Sequence, residues 1–382
     1  MKIYLDNACT SFPKPKSVPI AMADYIANAG VNIGRGCYGE AYDAEAKVYE
    51  TRQLLCSLFG GDDPKNVVFT KNVTESINIL LKGFLKPGDH VLVSSMEHNA
   101  VMRPLVQLKE RGISFSRIPC DNEGNLILSE TENLICPETK LIIMTHASNV
   151  SGSIMPIDKI GKICQKHGLK LFVDSAQSAG ALPIDMEEMH IDALAFTGHK
   201  GLMGPQGIGG FILKEEMVNL IEPLISGGTG SISHTEDIPS FMPDRFEAGT
   251  LNIPGIIGLR EGLLFIKNTG TAAIREKEAT LTKRFLDKIK ALPSVKIAGP
   301  KDILNRCSVV SLQIDGKDSA LISDALDTEY GIMTRVGLHC APSAHKTLGT
   351  YPEGTIRFSF GYFNTEEETD AAIRALEKLS KS

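Results

Sequence analysis

Two residues suggest a chemistry only when they are taken together. Asp174 closes the apolar run LKLFVD, and Lys200 follows another, DALAFT, 26 positions later. Five glycines in the next ten residues, GLMGPQGIGG, let backbone come close to anything Lys200 holds. Alone, a strand-end Asp caps a turn and a Lys is a solvated charge. As a pair they meet the needs of a Schiff-base enzyme, in which a lysine amine condenses with a carbonyl. A carboxylate then keeps a pyridine nitrogen protonated, so that the ring draws electrons from a substrate α-carbon. The phosphate of such a cofactor needs donors. Thr74, near a helix start, and Thr197 and His199, beside the lysine, are candidates.

A second constellation lies further along. Cys340, in TRVGLHCAPSAH, follows His339 directly and Arg335 by five residues. A lone Cys is usually a small buried hydrophobe, and Cys56 and Cys164 on helical segments fit that description. Cationic neighbours raise the thiolate fraction, so the setting of Cys340 suits a nucleophile. In GTIRFSF, strand alternation puts Arg357 and Ser359 on one side and Ile356, Phe358 and Phe360 on the other. Arg357 reads equally as a surface residue or as a fork for a carboxylate.

The elements that must position these residues alternate. Short apolar strands are predicted at 66–70, 90–94, 141–145, 169–174, 192–197 and 211–214, and helices at 41–59, 74–83 and 157–167, with Thr74 as an N-cap. This is an α/β pattern with a mainly parallel sheet. Thr74, His98, Asn149, Asp174 and Lys200 each fall at or just past a strand end, where open α/β sheets bind ligands. After Gly255 the character changes to long helices at 256–268 and 272–292, strands at 308–313 and 355–360, and a closing helix from 365 to 379. The expected division is a large domain over 15–255 and a smaller α+β domain over 256–382, with residues 1–14 packing on the latter.

The strings YLDNA, TESIN, MEHNAV, SNVSG, VDSAQ, FTGHKGLMGPQGIGG, FEAGT and RVGLHCAP occur in order along nearly the whole chain. Together they resemble the class V aminotransferase family, and within it the cysteine desulfurase and selenocysteine lyase branch with an RxGxHC cysteine motif. The resemblance implies a fold-type I pyridoxal 5'-phosphate enzyme acting as a homodimer. It also implies roles. Lys200 is the Schiff-base lysine, Asp174 the partner of the pyridine nitrogen, and Gln177 the donor to the ring hydroxyl. His98 stacks on the ring, where its imidazole can also pass protons in catalysis, while Thr74, Thr197 and His199 hold the phosphate with Thr250 of the neighbouring subunit. Asn149 binds at the substrate side of the cofactor and faces the substrate, Arg357 grips its carboxylate, and Cys340 takes sulfur from L-cysteine, or selenium from L-selenocysteine. The short cysteine segment implies transfer to a docked sulfur-acceptor protein. Two segments depart from the commonest pattern: SAHKTLGTYPEG after HCAP, and RGCYGEAY with Cys37 and Tyr38.

Bulk properties restrict the alternatives. Among 382 residues, 40 basic and 46 acidic side chains are well mixed and leave a net charge of −6, with no basic stripe for nucleic acid. No apolar run approaches the roughly 18 residues that span a bilayer, and MKIYLDNACTS has no secretory h-region. Eight scattered cysteines without a CxxC argue against a disulfide framework or compact zinc site. A cytoplasmic enzyme is the expectation. Competing readings are another pyridoxal enzyme of this fold (β-lyase, epimerase or aminotransferase) with a structural Cys340, and a non-catalytic binding module. The latter would be expected to lack Lys200 or Asp174. A nicotinamide site fails, because Gly204, Gly207, Gly209 and Gly210 lead into a strand and not a helix.

Overall fold

A computed structural model describes residues 2–34 and 36–381. Its centre is a seven-stranded sheet. In spatial order the strands are Val67–Thr70, Gly209–Leu213, Ala193–Thr197, Lys170–Asp174, Thr139–Thr145, His90–Ser94 and Ser114–Ile118. Gly209–Leu213 runs antiparallel to both neighbours, and the other pairings are parallel. Side chains alternate between two cores. Val91, Val93 and Phe172 enter one with the helices Val73–Phe84 and Asn99–Leu108. Leu92, Leu171 and Val173 enter the other with Gly39–Phe59, Ile157–His167 and Ile253–Thr269. Burial on both faces is why these strands read as unbroken apolar runs.

A second, antiparallel sheet follows the order Arg335–Gly337, Thr355–Ser359, Val309–Ile314, Val295–Ala298. It shares a separate core with the helices Thr271–Ile289, Ser319–Thr328 and Glu366–Leu379. The last helix opens on a capping box, in which Thr365 and Glu368 exchange side-chain and backbone bonds. Ile3–Tyr4 pairs in parallel with Ile332–Met333, and Ile3 and Leu5 are buried in this second core. The expected division at 255–256 falls inside the helix Ile253–Thr269. Its Ile256, Leu259 and Leu263 belong to the core under the large sheet, and the chain turns toward the second core at Gly270. No helix among the described residues is long and apolar enough to cross a membrane.

Candidate active site

The carboxyl ends of the large-sheet strands carry the polar residues. Asp174 ends Lys170–Asp174 with only 2% of its surface exposed. Its side chain accepts the Ala176 N–H at 2.9 Å, and no cation contacts it among the described residues. Burial raises its pKa, against the pull of Ala176 and of Lys200 nearby. Burial likewise lowers the pKa of Lys200, with Asp174 opposing. A buried carboxylate with one neutral donor fits a cationic ring N–H as its missing partner.

Lys200 sits in a backbone that is fixed from outside. The His199 carbonyl accepts from Ser11 N–H at 3.0 Å, Thr10 Oγ1 at 3.0 Å and Lys14 Nζ at 2.6 Å, and the Lys200 carbonyl accepts from Ser11 Oγ at 2.8 Å. Burial brings Lys14 down to about 8. Behind the loop, a Cβ on Gly201 would lie 2.3 Å from the Ala179 carbonyl oxygen. Only glycine permits that approach. The strap 10–14 escaped sequence reasoning, because its bonds run to carbonyls some 185 residues away.

Two buried atoms beside Lys200 have no hydrogen-bond partner among the described residues, the Thr197 hydroxyl and His199 Nδ1. Buried polar atoms are almost always paired, so both are suited to ligand oxygens. Thr74 stands in the first turn of Val73–Phe84, where N–H groups lack helical partners. It is not the cap as expected. Asn72 is, accepting the Glu75 N–H, because its short amide reaches one turn ahead. Thr74 is exposed on a cleft of about 600 Å³ that it shares with Asn78, His98, Arg103 and Cys340.

His98 caps Asn99–Leu108, and its Nδ1 accepts from Ala100 N–H at 3.0 Å, which leaves the ring proton on Nε2. Burial, then the charges of Lys200, Arg103 and Arg357, push its pKa down to about 4, so the ring is neutral near pH 7. Gln177 donates its amide N–H to the Ala8 carbonyl at 2.9 Å. The Asn149 side chain donates to the His339 carbonyl at 2.7 Å, and its backbone carbonyl accepts from Arg357 Nη1 at 3.1 Å.

Arg357 is not a surface residue, since 3% of it is exposed. Its strand is central in the small sheet, and Ile356, Phe358 and Phe360 fill the core behind it. Its Nη2 donates to Asp6 Oδ1 at 3.0 Å, while Nε is buried and unpartnered. Asp6 was overlooked in the sequence, where nothing within YLDNA singles out its carboxylate.

Cys340 is exposed and lines the cleft with His98, and Asn99 N–H donates to its carbonyl at 2.8 Å. Its expected cationic neighbours are placed differently. His339 is buried against Thr355 Oγ1 at 3.1 Å and held neutral by burial and Arg357, and Arg335 is engaged with Asp6. Cys56 and Cys164 are buried as expected. Thr250 is exposed on a different cleft, beside Arg52, Tyr49 and Glu247.

The aminotransferase class-V family model matches residues 3–372. The chain belongs to this family. Class V aminotransferases are in general pyridoxal-phosphate enzymes of fold type I, and the mainly parallel sheet agrees with that class. The chain is 35% identical to a probable cysteine desulfurase of Pyrococcus abyssi, over 100% of its own length and 94% of that protein. It is 33% identical to a probable cysteine desulfurase of Mycolicibacterium paratuberculosis, over 99% of its length but only 55% of that longer protein. The apo structure of cysteine desulfurase from Thermococcus onnurineus NA1 superposes with a TM-score of 0.94 at 36% identity, covering 100% of this chain and 95% of that one.

Proposed function

We propose that this class V enzyme is a cysteine desulfurase that holds pyridoxal 5'-phosphate and converts L-cysteine to L-alanine, leaving a persulfide on Cys340. The observation that carries this reading is the shared cleft: Cys340 and neutral His98 line one cavity with Thr74. The relatives' names point the same way. When bound, the cofactor supplies an electron sink next to the substrate α-carbon.

The chain's own residues supply the rest. Lys200 Nζ would hold the cofactor covalently and, once freed by the substrate amine, would be placed to take the Cα proton. Asp174 would keep the pyridine nitrogen protonated, Gln177 would donate to the ring hydroxyl, and His98 would stack on the ring. Thr74, Thr197 and His199 would hold the phosphate. Arg357 receives the α-carboxylate beside Asn149. Cys340 Sγ attacks the substrate sulfur, so that an S–S bond forms as the Cβ–S bond breaks. The Cβ takes the bonding pair and a proton to become the methyl of alanine. Substrate cysteine plus enzyme thiol thus equals alanine plus enzyme persulfide, with no external oxidant.

The outward position of Thr250 supports a homodimer in which it reaches the partner's phosphate. The exposed thiol supports hand-over to a docked acceptor protein, and a reducing compartment such as the cytoplasm would keep it free. L-Selenocysteine, one chalcogen heavier, is a second substrate to be offered alongside L-cysteine. Mass spectrometry after incubation with L-cysteine tests the reading. One added sulfur is expected on the peptide containing Cys340, and its absence, with alanine still formed, would overturn the persulfide mechanism.

A further inference from the structure

We infer that Asp6 is a positioning residue for substrate-carboxylate recognition, aiming Arg357 and tying it to the strand that presents Cys340. This rests on the reading of Arg357 as the carboxylate grip. Asp6 is 6% exposed. Its Oδ2 accepts from Arg335 Nε at 3.0 Å and Nη2 at 2.8 Å, and its Oδ1 accepts from Arg357 Nη2 at 3.0 Å.

Arg335 and Arg357 are direct partners across the antiparallel pair Arg335–Gly337 and Thr355–Ser359. Like charges in that relation repel. Asp6, arriving from the N-terminal segment, places its carboxylate between them. Of the N–H donors of Arg357, one goes to Asp6 and one to the Asn149 carbonyl, while Nε stays buried without a partner. A guanidinium has five such donors in one plane. Two anchors fix the plane, and the remaining donors are left for a ligand.

The anchors also close a circuit. Arg335 leads within five residues to Cys340, and the carbonyl of His339, next to that thiol, is held by Asn149 at 2.7 Å. Asn149 in turn holds Arg357. Asp6 thus couples where the carboxylate is gripped to where the thiol is presented, and its loss loosens both.

The test uses cofactor-loaded enzyme titrated with L-cysteine and with cysteamine, which has the amine and thiol but no carboxylate, both followed by cofactor absorbance. Asp6→Asn is expected to raise half-saturating L-cysteine about tenfold or more, the scale of one charge-assisted hydrogen bond. Cysteamine should stay within roughly twofold, since it makes no such bond. Asp6→Glu, which keeps the charge, should show a smaller selective loss. Arg357→Lys is run beside them. If it too fails to separate L-cysteine from cysteamine, the carboxylate-grip reading itself is wrong. If it separates them while Asp6→Asn weakens both ligands alike or lowers only the Tm, the role of Asp6 is overturned and the grip stands. Should Asp6→Asn not fold, Arg335→Gln takes its place: selective loss of L-cysteine binding supports the coupling, and equal binding overturns it.

Discussion

Cys340 and His339 both occupy left-handed backbone, with φ of 57° and 48°. Non-glycine residues hold that conformation only where surroundings impose it, at a cost of order 1–3 kcal/mol. Here Asn149 and Asn99 impose it by clamping the two carbonyls. The thiol is therefore aimed by its backbone, and the side chain adds only the sulfur. Cys340→Ala keeps the Cβ and should fold and bind cofactor normally. Its alanine formation from L-cysteine should fall roughly a hundredfold or more, the scale of losing an essential group in a concerted site. Native rates in that variant would return Cys340 to a structural role and favour another reaction of this fold. Lys200→Ala is expected to lose the yellow, covalently held cofactor, which absorbance of the purified protein reads directly. Asp174→Asn should keep the colour but turn over roughly a hundredfold more slowly, as preorganised charge is removed from the ring.

The elements show what a sequence reveals and what it conceals. His90–Ser94 and Ile157–His167 were legible to the residue, because burial on two faces or on one helical stripe leaves a clean pattern. Ser114–Ile118 was not, since this edge strand is only partly covered and only Ile118 is fully buried. Asn99–Leu108 was hidden by its internal Pro104. At the site, Asp174, Lys200 and Cys340 could be named from local context. The strap 10–14 and Asp6 could not, because their partners lie far off in the chain and no local pattern encodes a contact of that range. The strap has a counterpart behind the loop. Gly201→Ala would force a Cβ against the Ala179 carbonyl, and relief of such overlap costs about 1–3 kcal/mol. A fall in Tm of several degrees is expected, with less cofactor bound per chain. Gly39→Ala, where a Cβ meets nothing within 4 Å among the described residues, is the control and should leave both unchanged. Equal behaviour of the two variants would mean that the loop is not tightly seated.

At the scale of the whole molecule, burial sets the response to acid. His146, His339 and His345 are all buried, at 5%, 9% and 0% exposure, and desolvation is the largest cause lowering each, to about 4 for His146 and His345 and further for His339. Half-buried His98 and His199 are lowered to about 4 as well. In the unfolded chain these rings take protons near 6.5. Between that value and 4 the unfolded state therefore binds more protons than the folded one, and stability is lost as pH falls. Each of the three buried rings contributes a loss of about 2 kcal/mol between pH 6.5 and 5. Four buried carboxyls act in the opposite sense. Glu97 is raised to about 8 and Glu278 to about 7, and Asp174 and Asp192 are raised as well, in each case chiefly by burial, so the folded state holds their protons and acid favours it. With His90, also lowered by burial, six histidines stand against the four carboxyls, which sets the expected sign. The Tm of the purified enzyme is expected to fall on going from pH 7 to pH 5. Glu97→Gln separates the two contributions, because a group that no longer titrates cannot lose stability as pH rises from 4.5 through 8. Relative to the unaltered enzyme, this variant should gain Tm between pH 5 and pH 8. A difference in Tm that stays constant across that range would show that Glu97 is ionised in the fold, with its charge satisfied by Ser94 and the Thr145 N–H.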